Sequence, residues 1–201
     1  MRTIIYDKLE NLYHRYKGYI STRELLNEGF SGCQIAGLTE ENYLERVCHG
    51  HYWMVRCGRE KPRDYKCIEV CLGSPRAAIA MKSACFYQGI IDVEPKVLMV
   101  ATQRTDRSKI KMRFPVERHY FSDHNFGIGL KEVRTEFGSY NMYNVERSIC
   151  DMVRLKDAAS QEGFLAEIFC RIKPEKERYE RLLKYAEMLR MNGPLSVFKN
   201  Q

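Results

Sequence analysis

Ser31, Cys33 and Gln34 stand together at the start of a short run with helical apolar spacing, where a helix would present them to base edges. A glutamine amide offers one donor and one acceptor, the pair adenine displays in the major groove, and such a contact discriminates by about 1–3 kcal/mol. Thr22, at the start of the preceding helix, joins these candidates. Arg46, His49, His51 and Arg56 sit on or beside a glycine-centred turn and are placed for backbone or minor-groove contacts, or else are ordinary strand polarity. Arg104, Arg107, Lys109, Lys111 and Arg113 form a basic stretch that would track phosphates, or a solvated loop. Glu146 and Asp151 could serve as a catalytic acidic cluster. Arg147 and Asp151 at i,i+4 more simply make a structural ion pair. Cys48, His49, His51, Cys57, Cys67 and Cys71 contain no Cys-x-x-Cys, and His119, Asp123 and His124 are a loose trio, so no metal site and no cofactor is expected.

The elements that must position these residues are short. Thr3–Tyr16 carries Ile4, Ile5, Leu9, Leu12, Tyr13 and Tyr16 on one helical face and ends at Gly18. Ser21 or Thr22 caps a second helix holding Leu25 and Leu26. Ser31 caps a third through Gln34, Ile35 and Leu38. Tyr43–Val47 and Tyr52–Val55 alternate as strands around Gly50. Three helices closed by such a hairpin predict a winged helix-turn-helix over residues 1–56, its third helix aimed at the major groove. The alternative is a small packed domain with Glu40 and Glu41 on a solvated face.

Residues 57–66 are polar, contain Pro62 and read as a linker. Residues 67–201 then read as a mixed α+β domain with a helical C-terminal end, so the fold class is α+β. Within it the patterns predict a strand at Tyr65–Leu72, a helix at Arg76–Gln88 and strands at Lys96–Thr102, Arg118–Phe121, Ile128–Glu136 and Gly138–Tyr143. An Asn144-capped helix over Val145–Leu155 follows, then helices at Phe164–Arg171 and Glu175–Met191, stopped by Asn192-Gly193-Pro194. Cys33, Cys85, Cys150 and Cys170 fall on helices as small core residues.

The chain has 201 residues, 44% of them apolar, and a net charge of +7. That is enough for packed cores and argues against disorder. No apolar run approaches a membrane span, and charge follows Met1 too closely for a secretory segment. The expectation is a cytoplasmic protein without membrane contact, its eight cysteines mostly reduced. The excess charge lies outside residues 1–56, where seven basic residues (2, 8, 15, 17, 23, 46, 56) meet seven acidic ones (7, 10, 24, 28, 40, 41, 45). No Lys or Arg falls between Arg23 and Arg46. Phosphate neutralisation supplies much of protein–DNA affinity. So neutral a module needs the cationic help that Arg104–Arg118 could give.

Three blocks resemble the AbiEi family of antitoxins. Gly18-Tyr19-Ile20, Ser21–Leu26 and Leu44–Val47 through Gly50 and Tyr52 are similar to its opening helix-turn-helix. Ser83-Ala84 to Gly89-Ile90 is similar to its Ser-Ala-Leu helix and following turn, with Gln88 where histidine is usual. Tyr143–Asp151 resembles its Pro-Glu-Arg-Thr-Leu-Val-Asp signature. The resemblance implies the antitoxin of a type IV toxin–antitoxin pair in phage defence by abortive infection. It also implies a repressor of its own operon, bound to double-stranded DNA at inverted repeats. The partner it implies is a nucleotidyltransferase-like toxin, countered without a stable complex. The chain departs from the family in its uncharged third helix. Two other readings remain open: a winged helix that docks protein rather than DNA, and a nucleic-acid-processing enzyme using Glu146 and Asp151. The expectation is a regulator and not an enzyme.

Overall fold

A computed structural model describes residues 2–55, 60–154, 168, 171 and 176–191. The fold is mixed α+β with two sheets. Its contacts separate two units: Met1–Pro75 with Lys109–Phe114 and Val133–Tyr140, and Arg76–Ser108 with Pro115–Glu132 and Asn141–Gln201.

The first unit opens with α1 (Arg2–Tyr16), β1 (Tyr19–Ser21), α2 (Thr22–Asn27) and α3 (Gly32–Glu40), then β2 (Leu44–Cys48) and β3 (His51–Met54). β3 pairs antiparallel with both β1 and β2, making a three-stranded sheet in the order β1-β3-β2. Strand β1 is three residues long and escapes sequence patterning, because alternation cannot register in so short a run. Leu9, Leu12, Leu25, Ile35, Leu38, Leu44 and Trp53 are buried between helices and sheet. The Trp53 ring centroid lies 4.8 Å from that of Tyr19, 6.1 Å from Tyr13 and 6.4 Å from Phe137. Gly18 turns the chain into β1 with φ +100°, and a β-carbon there would stand 2.2 Å from the Trp53 ring. Only glycine satisfies both demands.

Residues Tyr65–Gly73 form a helix, α4, where the sequence pattern predicts a strand. The β-branched Ile68 and Val70 favour a strand locally. Cys67, Ile68, Glu69, Val70 and Cys71 are buried in succession, however, so packing surrounds this turn of helix and overrides the local strand preference.

In the second unit, β4 (Ala78–Ile79) precedes α5 (Met81–Tyr87), so the single helix expected over Arg76–Gln88 begins instead as a strand. β4 lies between β5 (Leu98–Gln103) and β8 (Gly138–Tyr143), and Ala78 and Ile79, both fully buried and apolar, suit that central place. Met81, at φ 53°, makes the break between strand and helix. β6 (Val116–Phe121) pairs parallel with β5. With β7 (Leu130–Thr135) the sheet order is β6-β5-β4-β8-β7. A short helix, α6 (Asp123–Phe126), follows β6, and α7 (Val145–Arg154) follows β8. Asn144 Oδ1 accepts from the Arg147 backbone N–H at 3.0 Å and caps α7. The last described helix is α8 (Lys176–Met188). The expected helix over Phe164–Arg171 and the stop at Asn192–Pro194 fall largely or wholly outside the described residues. Among the described residues no helix is long and apolar enough to cross a membrane.

Candidate nucleic-acid interface

Helix α3 begins with a reciprocal capping box. Ser31 Oγ accepts from Gln34 N at 3.2 Å, and Gln34 Oε1 accepts from Ser31 N at 2.7 Å. The amide assigned to base reading is thus turned back onto its own helix. Its Nε2 donors remain outside that box. Ile35 and Leu38 bury the inner face, while Gly32, Cys33, Ala36 and Glu40 are exposed. Cys33 is a surface thiol and not the core residue its helical position suggested, whereas Cys85 and Cys150 are buried as expected. Cys170 lies outside the described residues. A β-carbon at Gly32 or Gly37 would meet nothing within 4 Å, so the outer face of α3 is open to close approach.

The hairpin is anchored to α2 at its turn. Thr22 N–H donates to Gly50 O at 2.8 Å and Thr22 Oγ1 donates to it at 3.3 Å. Ser21, and not Thr22, caps α2, in a capping box with Glu24. Thr22 is therefore a tie between helix and turn. Arg46 is exposed, with Nη2 3.3 Å from His49 Nδ1, and His51 Nδ1 lies 3.6 Å from Cys48 Sγ. Burial pushes the Cys48 thiol up to about 11, which leaves it an inert core thiol. Arg56 lies outside the described residues. A groove of about 500 Å³ beside the hairpin is lined by Thr39, Glu45, Arg46 and Arg113, among others.

The basic stretch divides between the units. Lys109, Lys111 and Arg113 belong to the first, Arg104 and Arg107 to the second. Arg113 Nη1 donates to Glu45 Oε1 at 3.0 Å, which ties the 109–114 segment to β2. Lys109 and Lys111 are exposed and carry no ion pair among the described residues. Two of the module's own cations are held by Glu28: Arg15 Nη1 lies 2.6 Å from its carboxylate, and Lys8 Nζ donates to its carbonyl. Arg23, exposed in the first turn of α2 next to Thr22, is a further cation that sequence reasoning does not single out. Its place directly after a helix-start residue is the available signal.

Glu45 also receives Lys61 Nζ at 3.0 Å, and Lys61 reaches Glu69 of α4 at 2.7 Å. Tyr19 OH donates to Glu69 at 3.2 Å. Burial raises the Glu69 carboxyl above its usual range, with Lys61 pulling the other way. This chain of pairs holds β1, β2, α4 and the 109–114 segment together. Nothing in the spacing of single charged residues announces it.

In the second unit, Arg147 and Asp151 are fully buried and paired at 2.7 Å. Arg147 Nη1 also donates to the Asn125 and Ile128 carbonyls at 2.6 and 2.8 Å. Its guanidinium lies 5.0 and 4.7 Å from the Phe121 and Tyr143 ring centroids. Arg154 adds a second cation to Asp151 at 3.0 Å, and Glu146 pairs with Arg181 at 3.3 Å. Every acidic group of the suggested catalytic cluster is thus held by arginine, which fastens α7 to β6, α6 and α8. Among the described residues no three His, Cys, Asp or Glu are grouped to hold a metal ion. No family model matches the chain, and no curated protein matches it.

Proposed function

We propose that the first unit is a winged helix that binds duplex DNA, and that the chain is an antitoxin and repressor of its own operon. The observation that carries the reading is the open outer face of α3 beside a hairpin whose turn is bonded to α2 through Thr22 and Gly50. The order helix, strand, two helices, hairpin supports it, because that arrangement sets a third helix and a wing for one groove. Ser31, Cys33 and the Gln34 amide would meet base edges. Arg23, Arg46, His49, His51, Lys109 and Lys111 would meet the backbone. Small residues on α3 let the helix axis approach the groove floor closely, which offsets its lack of charge. Two copies on an inverted repeat would strengthen one another.

Alanine at Gln34 and at Arg46 tests this. A lost base contact weakens operator binding by about 5- to 150-fold at Gln34. Loss of Arg46 weakens specific and scrambled duplex alike. The antitoxin half is read by growth of cells expressing an adjacent nucleotidyltransferase-like gene with and without this chain. Restored growth supports it; unchanged arrest removes it. A second reading, a winged helix that docks protein, is favoured by one observation: α3 exposes no Lys or Arg. Operator affinity unmoved by both alanines would give that reading precedence.

A further inference from the structure

The loop over residues 103–108 is a cationic surface of the second unit with a scaffold of its own. Arg104 and Arg107 are exposed and carry no ion pair among the described residues, and the Arg76 side chain beside them is 67% exposed. Asp106 sits beneath, 2% exposed. Its Oδ1 accepts from Ser108 N at 2.8 Å and faces Arg76 and Arg118 at 3.5 Å each. Arg118 completes the anchor: Nε donates to Thr102 Oγ1 at 2.6 Å, Nη2 to Asp106 O at 2.9 Å, and Nη1 to Ser108 O. The hydrogen bonds from Ser108 hold the Asp106 carboxyl below its usual range, with the two arginines adding to them. One buried carboxylate and one guanidinium therefore fix the loop from below and leave its own arginines outside.

Tyr120 stands next to this loop and is 53% exposed. The register sets Val100 against Arg118 and Thr102 against Tyr120, so Arg118 and Tyr120 share the sheet face of Thr102. The chain enters the loop where Arg104 N–H donates to Phe121 O at 2.9 Å. The Arg118 guanidinium lies 4.7 Å from the Tyr120 ring centroid and fixes the ring from one side. Glu117 and His119, 3.2 Å apart, take the opposite face of β6. Asp123, the acidic neighbour of the loop, accepts from Thr105 Oγ1 at 3.3 Å.

We propose that this surface binds single-stranded polynucleotide, a base stacking on Tyr120 while Arg104, Arg107 and Arg76 hold the flanking phosphates. Duplex DNA would offer the arginines phosphates but no base face to the ring. An acidic peptide would use the arginines and leave Tyr120 idle. An exposed aromatic ring beside exposed arginines on an anchored loop fits an unpaired strand. The assignment does not rest on duplex binding by the first unit.

The test uses the full chain and labelled oligo-dT, oligo-U and a scrambled duplex, each of about 12 nucleotides per strand, read by fluorescence anisotropy. At least one single strand binds, and the preference between dT and U tells whether DNA or RNA is the better ligand. Tyr120→Ala weakens that binding by about 5- to 150-fold, and Tyr120→Phe restores it. Arg104→Ala with Arg107→Ala lowers the log–log salt slope by about 1.4. Absence of single-strand binding overturns the proposal. So does a Tyr120→Ala variant that binds the single strands as well as the parent, or one whose scrambled-duplex binding falls as much as its single-strand binding. Binding to the promoter duplex is a separate readout, so the two assignments fail separately.

Discussion

At Gly18 two demands coincide, a left-handed backbone at φ +100° and a tryptophan ring where a side chain would begin. Gly18→Ala meets both. The left-handed conformation costs roughly 1–2 kcal/mol for an L-residue and overpacking roughly 1–3 kcal/mol. We expect a loss of at least about 2 kcal/mol, seen as a lower urea midpoint. Trp53 is the only tryptophan, so its fluorescence reports the first unit directly. Glu69 makes a different prediction. Burial raises its carboxyl pKa in the folded chain, so its favourable contribution is present below the unfolded carboxylate value and is lost as pH rises through the folded one. In Glu69→Gln the fall in stability from about pH 4 towards neutrality is shallower than in the parent. Denaturant titrations across that range check it, and an unchanged slope would contradict the burial account.

Among elements, α7 shows how much of a site can be read ahead of a structure. The i,i+4 spacing of Arg147 and Asp151 is visible in the sequence. Tyr143 is a near neighbour in the chain, but the Phe121 ring and the two carbonyls that receive the guanidinium come from β6, α6 and its flank, 19 residues away or more. Asp151→Asn leaves Arg147 buried without its counter-ion and costs about 3–5 kcal/mol of stability, measured by far-UV circular dichroism during unfolding. Replacing both partners by apolar residues costs less than the sum of the two single changes. In the first unit, caps and glycines mark ends chemically, so α2, α3 and the hairpin are legible within a residue or two. Ser31→Ala removes half of the α3 capping box and costs about 1 kcal/mol. The capping box also explains why Gln34 is ambiguous in the sequence. A Ser-x-x-Gln pattern at a helix start reads equally as a base contact and as a cap, and only geometry separates the two. The strand expected at α4 fails for a physical reason too: burial all round the helix at Cys67–Cys71 outweighs the strand preference of Ile68 and Val70.

For the whole molecule the question is how a net charge of +7 is distributed over two units. In the first unit several cations are already paired: Arg15 with Glu28, Lys61 with Glu45 and Glu69, Arg113 with Glu45. Arg23, Arg46, Lys109 and Lys111 are exposed and are the ones proposed to meet phosphates. If all four do so on B-DNA, the log–log salt slope per copy is about −3.6. Lys109→Ala with Lys111→Ala makes it shallower by about 1.8 without changing sequence preference. Duplex reading by the first unit is open to a direct test. The most direct measurement is anisotropy of the full chain against the duplex just upstream of its own gene and a scrambled copy, across about 50 to 200 mM salt. The expected result is tighter binding to the promoter duplex, with affinity falling steeply as salt rises. Equal and weak binding to both duplexes would contradict it.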